Sequence, residues 1–128
     1  MEIIKTEGAP SGNASGPFPY SQAVVAGGLV FVSGQGPFDP ATGAVVGETI
    51  QEQTRQALAN VRAIVEAAGS SMDRVVNATF VLARPEDIGG MNEEWLRWFP
   101  DRLPARSGAK HPAPAPGMLI SIAAIAEA

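Results

Sequence analysis

One arginine lies in a stretch otherwise almost free of charge. From Leu103 to Ala126 the only formal charges are Arg106 and Lys110. Pro104 fixes its own φ and biases Leu103 toward an extended conformation, so Arg106 enters on a stiff, non-helical lead. A guanidinium is a planar fork of donors that grips a carboxylate with two parallel bonds, which makes Arg106 a candidate clamp for a small acid. A surface arginine laying its stem on apolar neighbours is the plainer alternative. Other chemistries are thinly represented. The chain has no cysteine, which excludes disulfides, thiol nucleophiles and thiolate metal sites, and its single histidine cannot build a multi-histidine metal cage. That residue, His111, stands five places after Arg106. Strand alternation sends it to the opposite face, and Pro112 follows it, so it is rejected as a general base.

The elements that position Arg106 can be read from periodicity. With 128 residues, 45% of them hydrophobic, the chain is expected to form one domain with a substantial core. Residues 8–19 are rich in Gly, Pro, Ser and Asn and read as loop. Two β-rich runs, 20–25 and 29–33, flank Gly27-Gly28 and predict a hairpin. Thr49 and Glu52 have capping-box spacing. Behind them Ile50, Thr54, Ala57, Leu58, Val61, Ile64, Val65 and Ala68 recur at helical spacing, and Gly69 supplies the stop. Residues 73–83 read as a largely buried strand. A helical first turn at Pro85 is expected to break at Gly89-Gly90, after which Met91, Trp95, Trp98 and Phe99 form a second stripe, read as core packing. Residues 103–110 are a candidate strand, 111–117 a loop because of three prolines, and 118–126 a closing buried strand. The order ββ, helix, β, helix, ββ predicts an α+β layer fold with two helices over one face of the sheet. The other face is apolar enough to need burial, and self-association is the simplest way to provide it.

The charge balance narrows the partners. A net charge of −4 and a pI near 4.9 argue against nucleic acid as a partner. No apolar run approaches the ~20 residues of a membrane span, and the first five residues lack a signal-peptide layout. With the absence of cysteine, this makes a cytoplasmic location the expectation.

Six motifs, taken together and in order, resemble the RidA/YjgF family of reactive-intermediate deaminases. They are Pro19-Tyr20-Ser21-Gln22-Ala23, Val32-Ser33-Gly34-Gln35, the run from Gln53 to Val61 with the helix end at Ala67-Ala68-Gly69, Asn92, Pro104-Ala105-Arg106-Ser107, and Ala124-Ile125-Ala126. The resemblance runs almost end to end and implies a chorismate-mutase-like subunit, a mixed sheet with two helices on one face. Three subunits would close into a homotrimer around a central β-barrel, with clefts between neighbours. It also implies hydrolysis of short-lived enamines and imines, such as 2-aminoacrylate, to a 2-keto acid and ammonia, with no cofactor and no metal.

Residue by residue, the resemblance assigns the substrate carboxylate to Arg106. It assigns cleft-lining roles to Ser33 and Gly34, and main-chain contacts to Ser107 and Gly108. Tyr20 and Asn92 would reach the cleft from the adjacent subunit. Family members often carry cysteine where Gly108 stands, a difference expected to remove bulk and change little. The larger departure is at the C-terminus. The family pattern has two glutamates where this chain has Ser121 and Ala123, and the resemblance puts the water-activating one at Ala123. Glu127 is ~13 Å further along the strand, too far to substitute. Glu93 and Glu94 are the nearer carboxylates, with a solvated helix face as their plainer reading. Two functions therefore stand side by side: an imine deaminase, and a non-catalytic trimer that binds a keto acid or amino acid through the same cleft. The ribonuclease activity sometimes attached to the family finds little support in an acidic chain with 6% aromatics.

Overall fold

A computed structural model describes residues 1–111 and 115–128. Its elements are β1 (Glu2–Ile4), β2 (Gly12–Asn13), β3 (Gly16–Pro17), β4 (Ala23–Ala26), β5 (Leu29–Gln35), α1 (Ile50–Ala67), β6 (Val75–Leu82), α2 (Ile88–Trp98), β7 (Ala105–Lys110) and β8 (Ile120–Glu127). Six strands form one sheet in the order β1-β4-β5-β8-β6-β7, and β2 and β3 form a separate short ladder. Only the β6–β7 pairing of the large sheet is parallel, because α2 carries the chain across between them. The fold is the expected α+β arrangement with a mixed sheet and two helices.

Alternation decides which side of the sheet meets the helices. In β8, Ile120, Ile122, Ala124 and Ala126 are buried, while Ser121, Ala123 and Ile125 on the other side are only half-buried. The same parity buries Val30 and Val32 of β5 and Ala78, Phe80 and Leu82 of β6. Against them α1 presents Ile50, Thr54, Ala57, Leu58, Val61, Ile64 and Val65, the expected stripe. Both halves of the capping box form at its start. At its end Gly69 takes a positive φ of 83° while Gly69 and Ser70 donate to Glu66 and Val65, satisfying carbonyls the helix leaves open. The face away from the helices is apolar but open in the single chain: Phe31 is exposed there and its neighbour Ile125 only half-buried.

Three expectations are corrected. Helix α2 is not broken at Gly89-Gly90 but runs through both. A Cβ at Gly90 would come within 2.5 Å of the Ile50 side chain, so this glycine lets α2 approach the start of α1 rather than ending a helix. The 73–83 strand begins at Val75, with a 3-10 turn over Met72–Arg74 before it. The loop expected at 8–19 contains the β2–β3 ladder, and β1 had no periodic signal because it is three residues long. Of the expected 111–117 loop, His111 and 115–117 lie outside any strand, and Pro112, Ala113 and Pro114 lie outside the described residues.

Candidate functional site

Arg106 sits on β7, an edge strand, in register with Ala78 of β6 and so on the helix-facing side. Its side chain turns toward α2. The Nη1 group donates to Asn92 Oδ1 at 2.8 Å. The guanidinium carbon lies 5.0 Å from the ring centroids of both Phe80 and Trp95, within cation–π range. Together Asn92, Trp95, Leu96, Leu103, Pro104 and Arg106 line a cleft of ≈ 360 Å³. Pro104 stands at the lip, as the stiff lead into β7 requires.

Asn92 therefore meets Arg106 within one chain, which corrects the expectation that it arrives from a neighbour. The helix explains this: α2 crosses from β6 to β7 and lays Asn92 and Trp95, three residues apart, over the strand it has just reached. Ser107 lies in register with Thr79, and Gly108 with Phe80. The expectation that glycine at 108 changes little is also corrected. A Cβ built there would collide with the Phe80 ring, which lies directly over Gly108.

A second cluster forms elsewhere. The β5–β8 register slips between Val32 and Gln35, and this irregularity holds Ser33 and Gly34. Ser33 Oγ donates to the Ser21 carbonyl at 2.6 Å. A Cβ at Gly34 would lie 2.9 Å from Ser121 Oγ, and Ala123 lies opposite the slip, between the paired residues Ile122 and Ala124. Tyr20 lies just ahead, half exposed and stacked on Phe18 at 5.2 Å. Burial pushes its phenol above the ordinary tyrosine range, so it is a protonated donor at neutral pH. Tyr20 borders a depression of ≈ 380 Å³ that also includes Lys5, Ser11 and Gln22.

The two clusters do not meet within a chain. Three inter-strand spacings, roughly 14 Å, separate β5 from β7. Ser33 and Arg106 also belong to opposite faces of the sheet. The nearby carboxylates are occupied: Glu94 is buried, accepts from Arg55 Nε and Nη2 at 3.2 Å and from Trp98 Nε1 at 3.1 Å, while Glu93 accepts from Gln51. Burial alone would raise the Glu94 carboxyl, but the Arg55 and Trp98 hydrogen bonds and the Arg55 charge hold it below the ordinary range. The His111 backbone N–H donates to Leu82 O just beyond the end of β7. Among the described residues no group of three or more His, Asp or Glu could hold a metal ion. No helix among them is long and apolar enough to cross a membrane.

Residues 13–128 match the protein family described as Endoribonuclease L-PSP. The chain belongs to the RidA/YjgF family. A RutC family protein of Pyrococcus horikoshii is 42% identical over 125 residues, covering 98% of this chain and 96% of that one. The 2-iminobutanoate/2-iminopropanoate deaminase of Capra hircus is 39% identical over 124 residues, covering 97% and 88%. Among solved structures, E. coli TdcF with bound serine superimposes with a TM-score of 0.89 at 34% identity, covering 100% of this chain and 99% of that one.

Two elements of the site escape motif reading. Phe80 carries no motif, and Trp95 reads only as core, yet both support the guanidinium. Their common signal is Gly108, a small residue in an otherwise side-chain-bearing strand position next to an aromatic.

Proposed function

We propose that this chain binds small carboxylate-bearing imines and enamines through Arg106 and hydrolyses them to a 2-keto acid and ammonia. The observation that carries the reading is the held guanidinium. A fork braced by Asn92, Phe80 and Trp95 at the mouth of a cleft suits an acid that binds edge-on, two bonds at a time. The deaminase name of the goat relative supports the reaction, and the serine bound to TdcF supports a small carboxylate as ligand. The chemistry asks little of the protein. An enamine first becomes the imine as a proton passes from nitrogen to its terminal carbon. Water then adds across C=N, a proton moves to nitrogen, and the carbinolamine collapses to C=O and ammonia; no cofactor enters.

The reading includes a cytoplasmic homotrimer closed around a β-barrel. The Ser33–Gly34–Ser121 cluster and Tyr20 of one copy would then face Arg106, Ser107 and Gly108 of the next. The distance between the two clusters in one chain and the exposed Phe31 support that assembly. Light scattering coupled to size exclusion should report three subunits; a monomer would leave the site in halves.

No glutamate stands at 121 or 123, so rate enhancement comes from holding the acid and ordering water, without the ~10²–10⁴-fold that a general base contributes. The test is ammonia release from freshly generated 2-aminoacrylate against the spontaneous rate. Arg106→Lys should weaken 2-ketobutyrate binding and Arg106→Ala more so, because an ammonium cannot reproduce the fork. Ala123→Glu returns a carboxylate opposite the Ser33–Gly34 slip and should raise the rate about 10²-fold at the low end of base catalysis. Ser121→Glu, two residues along the same face of β8, should raise it less.

The absence of both glutamates specifically favours one other reading, a trimer that binds a keto acid or amino acid without reacting it. Arg106-dependent binding with no ammonia above background, in the wild type and in both glutamate variants, would establish that reading instead. The acidic charge of the chain weighs against ribonucleolysis.

A further inference from the structure

We propose that Phe80 is a positioning residue for the Arg106 clamp, and that glycine at 108 is what admits it. This rests on reading Arg106 as the carboxylate-binding group. Phe80 and Gly108 are direct register partners across the parallel β6–β7 pair, and Arg106 precedes Gly108 by two residues on the same face. The small Ala78 beside Arg106 and the missing side chain at 108 leave a trough along β7. The Phe80 ring fills it, only 8% exposed. A Cβ at 108 would overlap the outer ring carbons Cε1, Cε2 and Cζ, so the ring conformation and the glycine require each other.

The guanidinium then rests with its carbon 5.0 Å from the centroids of Phe80 and Trp95, while Nη1 is tied to Asn92. Aromatic faces attract the flat of a guanidinium and leave its N–H edge to a carboxylate, so this support does not compete with the ligand. An arginine has several rotatable bonds, and freezing them on ligand arrival weakens binding. A side chain already braced on two rings and one amide avoids most of that loss. Where a side chain occupies position 108, a ring in this conformation is excluded. Phe80 and Gly108 therefore act as a matched pair that trades a side chain on β7 for aromatic support of the clamp.

The experiment follows Arg106 directly. Its Nε–Hε cross-peak, assigned by its loss in Arg106→Lys, should be displaced upfield by the rings in the wild type. Phe80→Leu and Gly108→Ala should each move it toward the position of a free arginine, and Phe80→Tyr, which keeps the ring, should not. In parallel, calorimetry with 2-ketobutyrate should show affinity weakened about fivefold by Phe80→Leu and by Gly108→Ala, and held within about twofold by Phe80→Tyr. The double variant Gly108→Ala/Phe80→Leu should be no worse than either single one, because both remove the same support; unrelated structural damage would multiply. Gly108→Ala also tests the idea if Phe80→Leu fails to fold. A cross-peak unmoved by Phe80→Leu, or by Gly108→Ala, overturns the proposal. If 2-ketobutyrate does not bind the wild type while the cross-peak still responds to Phe80, the positioning stands and the carboxylate reading of the site falls.

Discussion

Asn92→Asp offers a sharp electrostatic test of the clamp. Asn92 Oδ1 lies 2.8 Å from Arg106 Nη1, so the substitution exchanges a neutral acceptor for an anionic one of the same shape at hydrogen-bond distance. The new carboxylate does two things: it occupies the fork as a charged partner, and it repels an incoming acid. Unit charges 4 Å apart interact by about 1 kcal/mol in water and about 4 kcal/mol at an effective dielectric constant of 20. Arg106 is exposed and Asn92 half-buried, so the lower part of that range applies, about 1–2 kcal/mol, or a 5–30-fold loss of affinity for 2-ketobutyrate. Asn92→Ala adds no charge and should cost about threefold or less. Calorimetry at two ionic strengths separates the causes, because screening should recover part of the Asn92→Asp loss and none of the Asn92→Ala loss. Arg106 holds the new carboxyl ionised, so lowering the pH should restore affinity only below the usual aspartate range, while the keto acid stays charged. Affinity equal to wild type in Asn92→Asp, or a loss indifferent to salt, would refute Arg106 as the group that receives the carboxylate.

Other consequences concern the scaffold. Leu58 is 1% exposed in the middle of the α1 stripe, so Leu58→Ala should cost about 2–5 kcal/mol by urea unfolding; a change within ~0.5 kcal/mol would mean the buried face is misassigned. Gly90→Ala should destabilise despite the ~1 kcal/mol that helix propensity favours alanine, because its Cβ meets Ile50 at 2.5 Å; a rise in Tm would disprove the close approach. The Glu94 carboxyl is held below its ordinary value, so its contribution is present above the usual glutamate pKa and lost as pH falls through the lowered one. Glu94→Gln should therefore flatten the acid side of the stability–pH curve relative to wild type, and parallel curves would count against the Arg55–Glu94 contact as its source.

Much of this architecture could be read from residue order, for reasons visible in particular elements. The α1 stripe is long, regular and capped at both ends by residues whose chemistry has one main use, so its span was legible to within a residue. Strand β8 was legible as a buried run, but not its two-sidedness, because Ser121 and Ala123 interrupt the pattern without making it polar. Gly89-Gly90 misleads because propensity treats a glycine pair as a break, whereas packing uses Gly90 as a contact surface. Arg106 was legible as a candidate clamp from its local chain and the family motifs. Its bracing was not, since the Phe80–Gly108 fit exists only once β6 and β7 are paired. The pairing of Asn92 with Arg106 likewise depends on the α2 crossover, which no local pattern encodes.

All six residues of β7 are exposed, and the strand is paired on one side only, at the end of the sheet farthest from β1. In hydrogen exchange such a strand opens at a lower free energy than β8, which is flanked on both sides. On the proposed function the clamp rides on a locally weak part of the fold, and capturing an acid would also be an act of local folding. A ligand that binds only the closed strand stabilises it by RT ln(1 + [L]/Kd), about 2.7 kcal/mol at a hundredfold excess over Kd. Occupancy should slow amide exchange along β7 first and leave the centre of the sheet untouched, so strand protection becomes a meter of how much acid the protein has caught.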